Sequence, residues 1–309
     1  MQGETVESEL YGPYPVQTNE LTNQIEEILR GSFDLHVHAG PDAYQVRRMD
    51  ALDTARVAHE AEMAGFVLKS HQTVTANLAT TLNRVYPGLS VEGSITLNRE
   101  VGGLNCSAIE SAAKLGAKVV WMPTHSAEFS FGKLKQNPHL TDEYKDSFER
   151  GSGFKLTSDD GRLLEQAVDV IDVIKSHDLV MASGHISPVE TLALFREGKT
   201  QGIERMIATH PVGIATPEEL QAIVETGAFV EHTFLSCMPG GSSDPRELVA
   251  SVRELGVEHC VVTTDFGQPA NPPPSEGMRM AIAILLEMGL TGSEVTMLVK
   301  DNPLRLVHG

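Results

Sequence analysis

From Phe33 to the end of the chain, short apolar runs alternate with longer amphipathic stretches. The runs fall at residues 33–37, 66–69, 90–96, 118–122, 179–182, 205–208, 229–230 and 260–263. They lack the polar alternation of a half-exposed strand, which is how parallel strands read when both faces are covered. The stretches between them carry helix signals. Asp50 caps a helix over residues 51–63 that stops at Ala64-Gly65. The same grammar recurs over 105–115 before Gly116, 216–226 before Gly227, and 244–255 before Gly256. Pro217 and Pro245 sit in first turns, where a missing N–H costs nothing. Eight such alternations predict an α/β protein, a (β/α)8 TIM barrel. A doubly wound open sheet is the alternative, weakened because no GxGxxG follows the first strand.

Two segments lie outside the repeat. Residues 1–32 form an N-terminal extension with a helix over 19–29, suited to covering the barrel floor or a neighbouring subunit, so a homo-oligomer is among the expectations. Residues 33–309 are the barrel. Within it, residues 124–160 form an insertion after strand 4, too long for a simple βα loop and read as a lid or substrate-binding segment. Residues 154–156 and 162–164, around Ser158-Asp159-Asp160-Gly161, suggest a small hairpin there.

Composition narrows the partners. The 309 residues suffice for one barrel of about 250 residues plus extensions. Acidic residues outnumber basic ones by 42 to 24, a formal charge of −18. Nucleic-acid backbones and anionic membrane surfaces demand a positive footprint, so neither is expected as partner; a small-molecule substrate is. Three scattered cysteines form no CxxC pair, excluding a disulfide framework or cysteine-rich zinc site. The acidic start MQGETVESEL is unlike a signal peptide, and no apolar run approaches ~20 residues, so a cytoplasmic location is expected.

Candidate chemistry comes from the twelve histidines. His36 and His38 close the first strand; His71 follows the second, His125 the fourth, His185 the fifth and His210 the sixth, while His232 ends the seventh. The eighth ends in Thr264-Asp265. Barrel active sites lie at C-terminal strand ends, so imidazoles and a carboxylate converging there suggest a divalent metal. Residues two apart on a strand share a face, letting His36 and His38 grip one ion. Any single strand-end histidine reads equally well as a hydrogen-bonded structural residue; the set does not.

This arrangement resembles the amidohydrolase superfamily of metal-dependent hydrolases: HxH after the first strand, His after the fifth and sixth, Asp after the eighth. The resemblance implies His36, His38, His185, His210 and Asp265 as ligands, and Asp301-Asn302-Pro303-Leu304-Arg305 is similar to an ending many members carry. It also implies a bridging carboxylated Lys or Glu after the fourth strand, where this chain has Thr124-His125. Lys69, Glu231 and Glu128 stand as other possible bridges, and His71 as a further ligand. One to three ions of zinc or manganese are implied, two in the usual member. A bound ion would lower the pKa of its water from about 16 to about 7. Asp265 would act as general acid and base, with His125 or His232 polarising the electrophile, on an amide, cyclic amide, ester or lactone. Arg47 and Arg48, in the first loop, are candidates for holding a substrate carboxylate; Lys133 and Lys135 are weaker ones. The rivals are a PHP-type phosphoesterase, a metal-dependent decarboxylase and a non-catalytic metal-binding barrel.

Overall fold

The computed structural model describes residues 20–134, 140–147 and 153–309. Eight parallel strands run in sheet order β1 to β8: β1 (Phe33–His38), β2 (Gly65–Lys69), β3 (Ser90–Thr96), β4 (Ala117–Trp121), β5 (Val180–Ala182), β6 (Met206–Ala208), β7 (Phe229–Thr233) and β8 (Cys260–Thr263). The ring closes between β8 and β1. There the Asp265 N–H donates to the His36 carbonyl at 2.9 Å and the His38 N–H to the Phe266 carbonyl at 2.8 Å. The seam of the barrel therefore runs through three of the sequence-predicted ligands. β7 is longer than its apolar run because Glu231-His232-Thr233 continue the ladder with polar side chains.

The helices begin where their caps said. Asp50, Asn105, Thr216 and Asp244 each accept a first-turn backbone N–H, and the last two complete capping boxes with Glu219 and Glu247. One face of each strand packs under these helices; the other fills the barrel. Phe33, Leu35, Val67, Val119, Trp121 and Phe229 belong to the interior cluster, and Leu306 and Val307 of the last helix close its floor. Asn302 anchors that helix, donating to the carbonyls of Val257 and Cys260 at 2.8 Å each. The N-terminal helix Glu20–Leu29 is not the floor. It lies along helix Pro274–Glu287, tied by Arg279 Nε to Glu26 Oε1 at 2.7 Å, because the floor is already filled by the C-terminus. Asn19, with the rest of residues 1–19, lies outside the described residues.

The insertion contains helices Phe131–Leu134 and Asp142–Ser147. Tyr144 stacks on Tyr44 of the first loop at 3.9 Å between ring centroids and lies 5.7 Å from the His125 ring. The hairpin is reduced to one antiparallel bridge, Thr157 with Leu163, since Phe154 instead bridges Ala127. Lys135 and His139 lie outside the described residues.

Tight strand packing makes one glycine decisive. A Cβ on Gly65 would sit 1.8 Å from the Ser90 carbonyl oxygen, a backbone atom of the neighbouring strand. Gly65→Ala is expected to cost about 3 kcal/mol or more through this forced overpacking, read as a fall in thermal unfolding temperature.

Candidate metal centre

A bulge in β1 aims the first two ligands. Asp34 pairs with Phe66, but Val37 pairs with Leu68, so one extra residue intervenes. Phe33 and Leu35 face the interior and Val37 the outer core, so His36 and His38 both project into the barrel. Asp34 secures the bulge: its Oδ1 accepts the N–H groups of His36 and Thr264, each at 3.1 Å, and its Oδ2 the Thr264 hydroxyl. Burial pushes this carboxyl up to about 7, against the lowering effect of those hydrogen bonds.

The Nε2 atoms of His36 and His38 lie 3.1 and 3.2 Å from Asp265 Oδ1. Among the described residues, these three form the one group whose donor atoms lie within 4.8 Å of one another. Asp265 reaches in from a left-handed conformation at φ 55°, and His210 from φ 31°. Such strain costs about 1–3 kcal/mol and persists where the surroundings over-determine it. Here the seam bond to the His36 carbonyl holds Asp265, and the bond from the His210 N–H to Glu231 Oε2 holds His210.

Glu231 orients the set. His36 Nδ1 lies 2.9 Å from Glu231 Oε1, which also accepts the Thr263 hydroxyl at 2.9 Å, while Oε2 accepts the His210 N–H at 3.2 Å. With Nδ1 donating, the lone pair of neutral His36 sits on Nε2, facing Asp265. A buried imidazole held this way by a carboxylate is the usual arrangement of a metal-binding histidine. Burial raises the Glu231 carboxyl, opposed by His210 and Lys69. It holds His36, His38, His71 and His185 well below the ordinary imidazole range, and His125 at about 3, so neutral nitrogens are available. The donor set thus fits a divalent cation. Because Glu231 has its oxygens engaged behind His36, its removal acts on the ligand: Glu231→Gln is expected to weaken metal binding about 10- to 100-fold with the fold retained, measured by competition against a chromophoric chelator.

The remaining histidines continue the cluster. The His185 ring lies 4.9 Å from that of His210, which lies 6.0 Å from His36. His71 stacks on His125 at 3.8 Å and on His38 at 4.8 Å. Lys69 is fully buried, its Nζ 3.0 Å from His36 Nε2 and 4.1 Å from the Trp121 ring centroid. Burial lowers this ammonium to about 8, although Asp265 and Glu231 oppose the shift.

Other sequence candidates fall elsewhere. By strand parity Glu231 points inward and His232 outward, where its Nε2 meets Ser251 Oγ of helix Pro245–Leu255 at 3.0 Å. No ring contact joins His232 to the six clustered histidines, although it lines the same cavity as His185 and His210. Arg47 is buried and gives its Nε and Nη2 to Asp42 Oδ2 at 2.9 and 2.6 Å; Arg48 is exposed and reaches the Pro269 carbonyl. Glu128 pairs with Lys155 on the insertion, 3.6 Å apart, and does not join the ligands. The sequence reading missed the support behind the ligands: Asp34, and Asn98 just past β3. Their signal was a carboxylate inside an otherwise apolar strand run for Asp34 and a polar residue just past a strand end for Asn98.

A cavity of about 590 Å³ opens beside the centre. His185, His210, Glu231 and Asp265 line one part of it, and Phe129, Ile186, Val212 and Leu235 give it apolar walls.

The strand order and the gathering of histidines and an aspartate at the C-terminal mouth define a (β/α)8 barrel with a candidate metal centre at that mouth. The same fold is found in an amidohydrolase from Pseudomonas aeruginosa (TM-score 0.65, 12% identity, 92% of this chain and 98% of that one). It recurs in the probable dipeptidase PvdM from Pseudomonas aeruginosa (0.63, 12%, 94% and 98%) and in an organophosphorus hydrolase from Deinococcus radiodurans (0.55, 13%, 90% and 92%). At these identities the likeness lies in the fold. The chain belongs to a family of unknown function, DUF6282, whose model matches residues 31–231. No curated protein matches it. No helix among the described residues is long and apolar enough to cross a membrane.

Proposed function

We propose that this protein is a metal-dependent hydrolase of a small molecule, cleaving an amide, cyclic amide, ester or lactone. The observation that carries the reading is the convergence of His36 Nε2, His38 Nε2 and Asp265 Oδ1 at the barrel mouth, with His36 oriented by Glu231. These residues would hold a divalent ion, with His185 and His210 as ligands toward a second; neutral imidazoles and a carboxylate suit zinc or manganese. The ion, when bound, supplies charge that acidifies water and polarises the electrophile.

The chain's own groups do the rest. Asp265 carries a carboxylate to accept a proton and return it to the leaving nitrogen or oxygen. Glu231 keeps the His36 proton on Nδ1. The apolar walls limit competing water, and a 590 Å³ cavity is in the size range of small-molecule sites. Arg47, already half engaged by Asp42, is the nearest candidate for a substrate carboxylate. That an amidohydrolase, a probable dipeptidase and an organophosphorus hydrolase share the fold supports hydrolysis as the reaction class.

The test is turnover by chelator-stripped protein before and after reconstitution with zinc or manganese, over dipeptides, lactams, lactones and phosphate esters. The reading expects metal-dependent cleavage of a C–N or C–O acyl bond. Cleavage of phosphate esters alone would favour the phosphoesterase alternative, and turnover insensitive to chelation would overturn the metal mechanism.

A further inference from the structure

The Asn98 side chain has a fixed orientation. Its Oδ1 accepts the backbone N–H groups of Thr124 (2.8 Å) and Ser126 (3.0 Å), and its Nδ2 donates to the His71 carbonyl (2.9 Å) and to Thr124 Oγ1 (2.7 Å). Thr124 is fully buried, so its hydroxyl hydrogen needs an acceptor within the protein. The acceptor in reach is His71 Nδ1, at 2.8 Å. A hydroxyl that receives one hydrogen from Asn98 and gives its own to Nδ1 leaves the proton of a neutral His71 on Nε2. The opposite tautomer would leave the buried Thr124 hydrogen unmatched, a preference of roughly tenfold or more for Nε2–H. Among the described residues no hydrogen-bond partner meets Nε2. The His71 residue is 5% exposed, and its ring lies among those of His38, His125 and His185.

We propose that His71 is a hydrogen-bond donor to the substrate, its proton held on Nε2 by Asn98 acting through Thr124, and not a metal ligand. Metal ligation through Nε2 requires a lone pair there, which this relay opposes; the ligands proper, such as His36, have the reverse arrangement, with Nδ1 giving its hydrogen to Glu231. The acceptor matched to such a donor is a carbonyl or similar oxygen that gains negative charge as the bond to it is attacked. Asn98 and Thr124 are then positioning residues, reaching His71 from the ends of β3 and β4. The role assigned to His71 rests on the hydrolase reading above, but its tautomer does not.

The experiment is long-range ¹H–¹⁵N correlation of the imidazole rings, with His71 assigned through His71→Gln. It is run on metal-free protein and again during titration with Zn²⁺. The expected result is an Nε2–H tautomer for His71 that Zn²⁺ leaves unchanged while the His36 and His38 signals move. Thr124→Ser should keep that tautomer, and Thr124→Val should redistribute it, with bound metal unaltered and kcat falling about 10-fold more than KM changes. An Nδ1–H tautomer in the metal-free protein, or a Zn²⁺-induced shift of His71 Nε2, would overturn the proposal whatever the protein hydrolyses. A correct tautomer in a protein without hydrolase activity would instead overturn only the role of His71 toward substrate.

Discussion

Asp265→Asn is expected to lower turnover by about 10²- to 10⁴-fold, the range for losing a positioned proton acceptor. The substitution preserves shape. Asn tolerates the left-handed backbone that Asp265 adopts at φ 55°, and the seam bond from its N–H to the His36 carbonyl is untouched. What disappears is the charge facing two imidazole nitrogens at 3.1 and 3.2 Å, together with the ability to take up a proton. The loss should therefore appear in kcat, with the unfolding temperature nearly unchanged. A large fall in unfolding temperature with kcat preserved in the folded fraction would assign Asp265 to the barrel seam alone.

The second large effect is loss of metal from His36→Ala/His38→Ala. These residues supply two of the three converging donors, so affinity should fall by more than the about 10- to 100-fold typical of an outer partner. Removing His36 also leaves buried Glu231 and Lys69 without the ring between them, so some stability is lost as well. Equilibrium dialysis followed by elemental analysis separates the two effects, since a folded, metal-free double variant is the expected product. Unchanged metal content in that variant would move the binding site elsewhere.

Much of this was legible in the sequence because barrel strands carry their chemistry at one end. Apolar runs located all eight strands, and polar residues directly after them marked the mouth. Alternation along a strand put His36 and His38 on one face, and the structure keeps them there. What it could not give was their absolute direction. A bulge between Asp34 and Val37 makes Leu35 and His36 both point inward, and bulges leave no reliable trace in one sequence. At β7 the apolar run stops at Val230, so neither Glu231 nor His232 could be given a face; the structure turns Glu231 toward His36 and His232 toward Ser251. Arg47 looked like an exposed loop arginine free for substrate, yet Asp42, five residues earlier, binds it bidentately through Nε and Nη2. The support formed by Asn98 and Thr124 joins different strand ends, a contact that only closure of the barrel creates.

The central claim is that His36, His38 and Asp265 together hold a divalent cation. Anomalous diffraction from crystals loaded with zinc, recorded on both sides of the metal edge, tests it most directly. The account predicts an anomalous peak within bonding distance of His36 Nε2, His38 Nε2 and an oxygen of Asp265. Full occupancy at some other site with none between these three residues, or no ordered zinc at all, would contradict it.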